Sequence, residues 1–347
     1  MQTITPSLSE KFGGKKVNTF RLVNKKGTEA IISNYGAILL SFKIKKEDGL
    51  MNDIVLGFDK PEDYLDEKYL QQYPLFGAAV GRYGNRVKNG QMEIDGIKYQ
   101  LPLNMGTDHL HGGMSGFDKK IWNIDSFDEV KNVLKLSLIS PDGDEGYPGN
   151  LNVSLTFTLK DNNELVHEYT ATTDKPTAVN LTHHSYFNLN NGKGRVDNHF
   201  IKINASSILE QDENLTCNGN LINVTDTRFD FRKPKRMEDL WGNEPGYDQS
   251  FVVDKKDKEF AWSAEAWSDE SKTKLEVATT EPVVHFYTGI WIPKVTGKNN
   301  TPYAPYSGFC FETQVHPNAI NIHSFPNTVL RPGEVYSQKT VYRLSNL

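Results

Sequence analysis

Cysteine and clustered positive charge are both scarce in this sequence. Cys217 and Cys310 are the only cysteines among 347 residues, so no disulfide framework is expected. The formal net charge is -5, with 39 basic and 44 acidic residues, and the lysine-rich runs are interrupted by acids. Because nucleic acids and anionic membranes attract clustered lysine and arginine, we expect neither as a partner.

Long apolar runs are missing as well. No segment approaches the length that a transmembrane helix needs, and the first sixteen residues, MQTITPSLSEKFGGKK, lack the apolar core of a signal peptide. We therefore expect a cytoplasmic protein that does not enter a membrane. The sequence leaves open whether it is a monomer or a homodimer.

Short runs that alternate apolar and polar residues dominate what is present. LKLSLIS, LNVSLTFTLK, ELVHEYTATT and VYSQKTVYRL are examples, and turn sequences such as SPDGDEGYPGN and RPGE separate such runs. A period of two is typical of half-buried strands, so the pattern predicts an all-β fold, a large antiparallel sandwich or barrel. Only short segments such as PEDYLDEKYLQQ favour a helix.

No stretch inside the chain has the length and composition of an interdomain linker. We therefore predict one domain over residues 1–347. Two β domains divided near residue 150 are the alternative.

The segment NLTHHSYFNL places two histidines side by side in a strand-like run. Successive side chains of a strand point to opposite faces, so His184 shares a polar face with Asn180 and Tyr186, whereas His183 faces the same side as Leu181. We predict that His184 lies in a functional pocket and that His183 is a structural residue.

A second pair of histidines, His109 and His111, lies two residues apart in LNMGTDHLHGGMSGFDK. On a strand both would point to the same face, which raises a zinc site as one interpretation, although zinc needs a third ligand. The Gly112–Gly113 pair that follows favours another interpretation, in which the backbone approaches a sugar or phosphate closely.

The segment FGAAVGRYGNRVKNG contains Arg82, Asn85 and Arg86 among small residues. It matches neither nucleotide-binding glycine pattern, so a nucleotide site is not indicated. Arginine and asparagine on a tight backbone suit recognition of hydroxyl or carboxylate groups. A bent strand with a surface arginine is the alternative.

Two acidic residues complete the candidate site. In GFCFETQVHPNAIN, alternation places Glu312 on the face opposite Phe309 and Phe311, and a carboxylate among aromatic residues is a candidate general base. In EPGYDQSF, Asp248 is predicted to lie in the turn before an apolar strand. The set contains imidazoles, carboxylates, arginine and amide groups but no nucleophile elbow or cofactor fingerprint. Proton transfer on an uncharged ligand with several hydroxyl groups is the chemistry that it suits best.

The motifs together resemble the galactose mutarotase (aldose 1-epimerase) family along almost the whole chain. The matching segments, in the family's order, are GRYGNRV, HLHGGMSGFDKKIW, SPDGDEGYPGNL, NLTHHSYFNL, GYDQSFVV, HFYTG, FETQVHPNAIN and SFPNTVLRPGE. The resemblance implies a supersandwich fold, an isomerase activity on the anomers of aldohexoses such as galactose and glucose, and neither cofactor nor metal.

The resemblance also implies roles for single residues. Glu312 corresponds to the catalytic base and His184 to the catalytic acid. The sugar-binding positions implied are Asn85, Arg86, His111, Asp248 and His285. His285 stands where the family often has glutamine, and His183 where it commonly has asparagine.

Three other functions remain as alternatives. A hexose-6-phosphate 1-epimerase would need further basic residues near the substrate's C6 end, whereas only Arg82 and Arg86 lie in the motif. A non-catalytic sugar-binding protein of the same fold would be expected to lack Glu312 or His184. A zinc enzyme would use His109, His111 and His184.

Overall fold

Antiparallel strands are the main regular elements of the computed structural model, which describes residues 2–3, 16–241 and 245–347. The N-terminal segment that argues against a signal peptide lies mostly outside these residues. The strands, in chain order, are β1 Gln2–Thr3, β2 Asn18–Val23, β3 Glu29–Ser33, β4 Leu39–Lys45, β5 Met51–Asp53, β6 Ala78–Val80, β7 Arg86–Val87, β8 Gln91–Ile94, β9 Ile97–Gln100, β10 His109–Leu110, β11 Asn123–Asp128, β12 Val133–Ser140, β13 Leu151–Leu159, β14 Glu164–Thr173, β15 Thr177–Ala178, β16 Thr182–His184, β17 Tyr186–Phe187, β18 Phe200–Ile203, β19 Ser207–Gln211, β20 Cys217–Asn223, β21 Lys235–Arg236, β22 Asp248–Val252, β23 Ala261–Ser268, β24 Thr273–Thr279, β25 Val283–Tyr287, β26 Val295–Thr296, β27 Pro302–Tyr303, β28 Phe309–Gln314, β29 Val329–Leu330 and β30 Tyr336–Asn346.

Helices are short and few among the described residues. The α-helices are α1 Glu67–Gln72 and α2 Met237–Trp241, and 3-10 turns lie at Pro61–Leu65, Lys88–Gly90, Phe117–Lys119, Asp144–Gly146, Lys298–Asn300 and Ala319–Asn321. The helix predicted over PEDYLDEKYLQQ is confirmed as a 3-10 turn followed by α1, which begins where the Asp66 side chain accepts hydrogen bonds from the backbone of Lys68 and Tyr69. None of these helices is long and apolar enough to cross a membrane.

Two large sheets carry the fold. The nine-stranded sheet has the order β11-β12-β13-β14-β30-β24-β23-β18-β21, and the six-stranded sheet has the order β17-β28-β25-β22-β19-β20. A five-stranded sheet of β1 to β5 and several two-stranded pairs complete the described part of the chain. Burial alternates along strands such as β13, as the sequence pattern predicts.

The main hydrophobic core lies between the large sheets. It combines Phe309 and Phe311 of β28 with Leu275 of β24 and Tyr342 of β30. The rings of Phe187 and Tyr342 lie 5.1 Å apart and link β17 to β30 across the interior. The predicted all-β antiparallel sandwich is confirmed.

The same core draws on residues from both sides of position 150, from Phe20 and Phe42 to Tyr342 and Leu344. A shared core supports one domain over residues 1–347, and this boundary stays a prediction.

Candidate active site

The centre of the six-stranded sheet positions the acidic residues of the candidate site. All six residues of β28 are buried, with Phe309 and Phe311 in the main core, so Glu312 faces away from that core as the alternation predicts. The strand register places His285 of β25 opposite Glu312 and Ser250 of β22 opposite His285. Their side chains therefore form a row across one face of the sheet.

One cavity of about 520 Å³ gathers every residue of the predicted site. Its lining includes Asn85, Arg86, His111, His184, Asp248, His285 and Glu312. The volume is within the usual range for small-molecule sites. Two larger grooves, of about 690 and 640 Å³, are lined by no histidine.

His184 and Glu312 face each other in this cavity as an acid–base pair. The Nε2 atom of His184 lies 3.5 Å from Oε1 of Glu312, and both residues are buried. The Oε2 atom of Glu312 makes no hydrogen bond to the described residues. Buried carboxylate oxygens normally have a donor, so this oxygen is suited to accept one from a bound hydroxyl group.

Two neighbours hold the His184 ring in place. Its Nδ1 atom lies 3.5 Å from Sγ of Cys310, and its ring stacks on Tyr186 with centroids 4.9 Å apart. These contacts leave the Nε2 edge facing Glu312. Cys310 and Glu312 are two residues apart on β28 and share a face, but the contact of Cys310 with His184 depends on how the strands pack.

His183 is a structural residue, as predicted. Its ring contacts the Ser185 hydroxyl at 2.9 Å through Nδ1 and the Ala37 carbonyl oxygen at 3.2 Å through Nε2. Burial lowers the pKa of His183 to about 4, so the ring is neutral at neutral pH.

His111 reaches the cavity from a loop and not from a strand. β10 ends at Leu110, and His111 has a φ of 52°, in the left-handed region. The backbone N–H of Asn85 donates to Nδ1 of His111 at 3.2 Å, and burial holds the pKa of His111 well below its usual value. The ring is therefore neutral and carries its hydrogen on Nε2, which can donate to a ligand.

The prediction that His109 and His111 share a strand face is wrong, because the left-handed turn at His111 ends the alternation. His109 is buried away from the cavity and contacts the Tyr147 hydroxyl at 2.8 Å and the Pro102 carbonyl oxygen at 2.7 Å. Gly112 serves chain packing, since a Cβ there would lie 2.0 Å from the carbonyl oxygen of Gly81.

In the part of the chain that the structure describes, the group that could hold a metal is His111, His184 and Glu312, whose donor atoms lie within 4.8 Å of one another. Histidines that bind metals donate their other ring N–H to an acceptor. Here Nδ1 of His111 instead receives the N–H of Asn85, which keeps the hydrogen on Nε2. The arrangement fits zinc poorly, and the set His109, His111 and His184 is not assembled.

Asp248 and His285 form a buried pair in the same cavity. Asp248 begins β22 and does not lie in the predicted turn, and its Oδ1 accepts a hydrogen bond from Nε2 of His285 at 2.9 Å. Burial acts to raise the pKa of Asp248 and to lower that of His285, but their mutual attraction outweighs it. The pKa of Asp248 is therefore lowered and that of His285 raised, which favours a carboxylate facing an imidazolium.

The segment GRYGNRV divides its polar residues between the cavity and the interior. Asn85 and Arg86 line the cavity, and the Asn85 side-chain oxygen accepts from the backbone of Arg86 at 2.8 Å. Arg82 is buried elsewhere and donates to Ser140 and to the carbonyl oxygens of Pro148 and Gly149. It is neither a surface residue nor a ligand-binding one.

The predicted set omits ten other residues that line the cavity. These are Gln71, Gln72, Tyr73, Pro74, Leu75, Met105, Leu110, Tyr186, Tyr287 and Trp291. Half of them come from the connection between α1 and β6 or from loops, where no periodic pattern signals a pocket. Aromatic faces of this kind stack well on sugar rings.

The chain is similar in sequence to known epimerases. The model of the family described as aldose 1-epimerase matches residues 18–343. Human galactose mutarotase is 40% identical over 339 residues, which cover 96% of this chain and 95% of the human protein. Escherichia coli (strain K12) aldose 1-epimerase is 35% identical over 347 residues, which cover 98% of each chain.

Solved structures agree with the sequence matches. An aldose epimerase homologue from C. elegans has a TM-score of 0.88 at 31% identity and covers 95% of this chain and 99% of its own. Galactose 1-epimerase from Lactobacillus acidophilus has a TM-score of 0.82 at 30% identity over 96% of each chain. The resemblance seen in the motifs thus extends to the whole fold, and the chain belongs to the aldose 1-epimerase family of isomerases.

Proposed function

We propose that the chain interconverts the α and β anomers of unphosphorylated aldohexoses such as galactose and glucose, with Glu312 as general base and His184 as general acid. The observation that carries this proposal is the buried pair itself, with His184 Nε2 3.5 Å from Glu312 and the second carboxylate oxygen unpaired among the described residues. The names of the human and Lactobacillus relatives support galactose as one substrate.

The reaction needs one base and one acid that exchange roles. Glu312 removes the proton from the anomeric hydroxyl while protonated His184 donates its Nε2 proton to the ring oxygen. The C1–O5 bond breaks, and C1 becomes the carbon of an aldehyde. Rotation about C1–C2 presents the other face, and ring closure with the proton transfers reversed gives the other anomer. A general acid or base of this kind typically increases the reaction rate by roughly 10²–10⁴-fold.

The remaining polar residues would hold the sugar so that its anomeric and ring oxygens meet this pair. Neutral His111 offers an Nε2–H donor, Arg86 a cation, Asn85 an amide and Asp248 a carboxylate. His285 lies beside Asp248 in the same lining.

The lining favours a sugar without a phosphate group. Arg86 is the only arginine of the cavity, and no lysine lines it among the described residues. A phosphorylated sugar would be expected to have additional arginine or lysine near its C6 end, because these residues form strong charge-assisted hydrogen bonds to phosphate. The presence of both Glu312 and His184 argues against a purely sugar-binding role.

Polarimetry of freshly dissolved α-D-galactose and α-D-glucose tests the proposal. We expect the wild-type protein to speed the approach to anomeric equilibrium and Glu312→Gln to lose roughly 10²–10⁴-fold in kcat. Glu168→Gln is a matched control, because Glu168 forms an exposed ion pair with Lys339 and such pairs contribute little to stability. A Glu312→Gln protein as fast as wild type would contradict the assignment.

A further inference from the structure

The two ring nitrogens of His285 both have partners inside the protein. Nε2 donates to Oδ1 of Asp248 at 2.9 Å, and Nδ1 lies 2.9 Å from the hydroxyl oxygen of Ser250. Ser250 is fully buried. Since an imidazole has only these two polar atoms, His285 has none left for a sugar hydroxyl, although it lines the cavity.

The side chains of Asp248 and His285 differ in their exposure to solvent. The Asp248 side chain is 17% exposed and the His285 side chain 4%, so the carboxylate is the more accessible of the two to a ligand. Asp248 and Ser250 lie two residues apart on β22 and point to the same face, and His285 is opposite Ser250 on β25. The paired strands therefore fix the ring between a hydroxyl group and a carboxylate.

We infer that His285 is a positioning residue: it orients the Asp248 carboxylate toward the sugar and does not bind a hydroxyl group itself. This inference rests on the proposed function, because it assigns Asp248 to sugar binding. It differs from the role implied by the family resemblance, in which the residue at position 285 contacts the sugar.

The surrounding charges support an imidazolium at this position. Burial lowers the pKa of His285, as does Arg86, whereas the negative charges of Asp248 and Glu312 raise it, and the net direction is upward. His111, which also faces His285, is neutral because its own pKa is depressed. His184 faces Asp248 and helps to lower the pKa of that carboxyl.

The pair should be fully charged over a defined range of pH. Asp248 stays ionised to below 3.8, the ordinary value for its pKa, and His285 stays protonated to above 6.5, the ordinary value for histidine. As the pH rises through the raised pKa of His285, the ring loses its charge and its attraction for Asp248 weakens. Sugar binding should therefore weaken on the alkaline side, and KM should rise there.

Two substitutions separate position from charge. His285→Leu removes the donor, and we expect KM to rise about tenfold or more, as for loss of a hydrogen bond to a charged group, with little change in kcat. His285→Gln keeps an N–H donor without a titrating charge. It should therefore restore part of the loss in KM and abolish the alkaline rise in KM that the wild type shows.

The measurement is KM and kcat for galactose against pH in wild type, both variants, Asp248→Asn and the double variant Asp248→Asn/His285→Leu. If His285 acts through Asp248, the double variant should be no worse than Asp248→Asn alone. Additive losses, a loss confined to kcat, or an unchanged alkaline rise of KM in His285→Gln would overturn the inference. If His285→Leu does not fold, the His285→Gln profile decides alone. An inactive wild-type protein would instead contradict the proposed function.

Discussion

In each of two pairs of histidines, one residue lies in the cavity and the other in the protein interior, but the two pairs reach this arrangement through different backbone geometry. His184 and His111 lie in the cavity, with rings 5.3 Å apart, whereas His183 and His109 are buried in the protein interior. In the first pair the residues are adjacent on β16, and strand alternation separates them. In the second pair they are two residues apart, where alternation alone would have kept them together.

The difference shows where a period-two argument stops being valid. β16 is extended through both of its histidines, so the face of each follows from its position. β10 ends one residue before His111, whose position comes from the left-handed backbone and the hydrogen bonds with Asn85. A pattern predicts orientation within a strand, but a loop residue is placed by its partners.

The largest expected effect is on kcat, and it should distinguish His184 from His183. His184→Asn removes the proposed proton donor, and we expect a loss of roughly 10²–10⁴-fold in kcat with the fold intact. His183→Asn leaves the catalytic pair in place but removes ring contacts with Ser185 and the Ala37 carbonyl oxygen. It should cost about 1–3 kcal/mol in the free energy of unfolding. Polarimetry and urea unfolding of both variants measure the two quantities.

Two outcomes would contradict the different roles of His184 and His183. If His183→Asn lost kcat as severely as His184→Asn while remaining folded, the two faces of β16 would not be functionally distinct. A His184→Asn protein that unfolded early but retained its rate per folded molecule would reverse the assignment.

A smaller effect, on KM, should distinguish His111 from His109. His111→Ala removes one neutral donor from the cavity, so we expect KM to rise up to about tenfold and kcat to change less. His109→Ala leaves the cavity lining unchanged but removes the hydrogen-bond partner of the Tyr147 hydroxyl and of the Pro102 carbonyl oxygen. This loss should lower the free energy of unfolding by about 1–3 kcal/mol. Steady-state kinetics and thermal unfolding of the two proteins test this. Equal effects on KM would show that both histidines contact the sugar.

The alternation of apolar and polar residues predicted much of the fold and part of the candidate site. Alternation predicted the sandwich, the burial of Phe309 and Phe311 on one side of β28, and the opposite orientation of Glu312, because residues of one strand share a fixed geometry. The family resemblance added the roles of Asn85, Arg86 and Asp248, which no periodicity indicates. The structure places all of them in one cavity.

Contacts between distant segments were not predictable in this way. Cys310 meets His184 across 126 positions of sequence, and His285 meets Asp248 across 37, through strand packing that a local pattern does not specify. The glycine-rich context of Arg82 suggests recognition of hydroxyl or carboxylate groups, with a surface arginine as the alternative, yet seven hydrogen bonds hold its guanidinium inside the protein. Such positions depend on partners that come from other parts of the chain.

The smallest effect concerns metal, for which we expect no change in rate. A metal bridging His111, His184 and Glu312 would need the Nε2 lone pair of His111, and the hydrogen would then move to Nδ1. That atom faces the Asn85 N–H at 3.2 Å, so two donors would oppose each other there. Dialysis against a chelator should therefore leave kcat and KM unchanged, with metal content well below one ion per chain by elemental analysis. Loss of activity on chelation, restored by zinc, would show that His111 changes its tautomer and that the hydrogen bond from Asn85 does not control it.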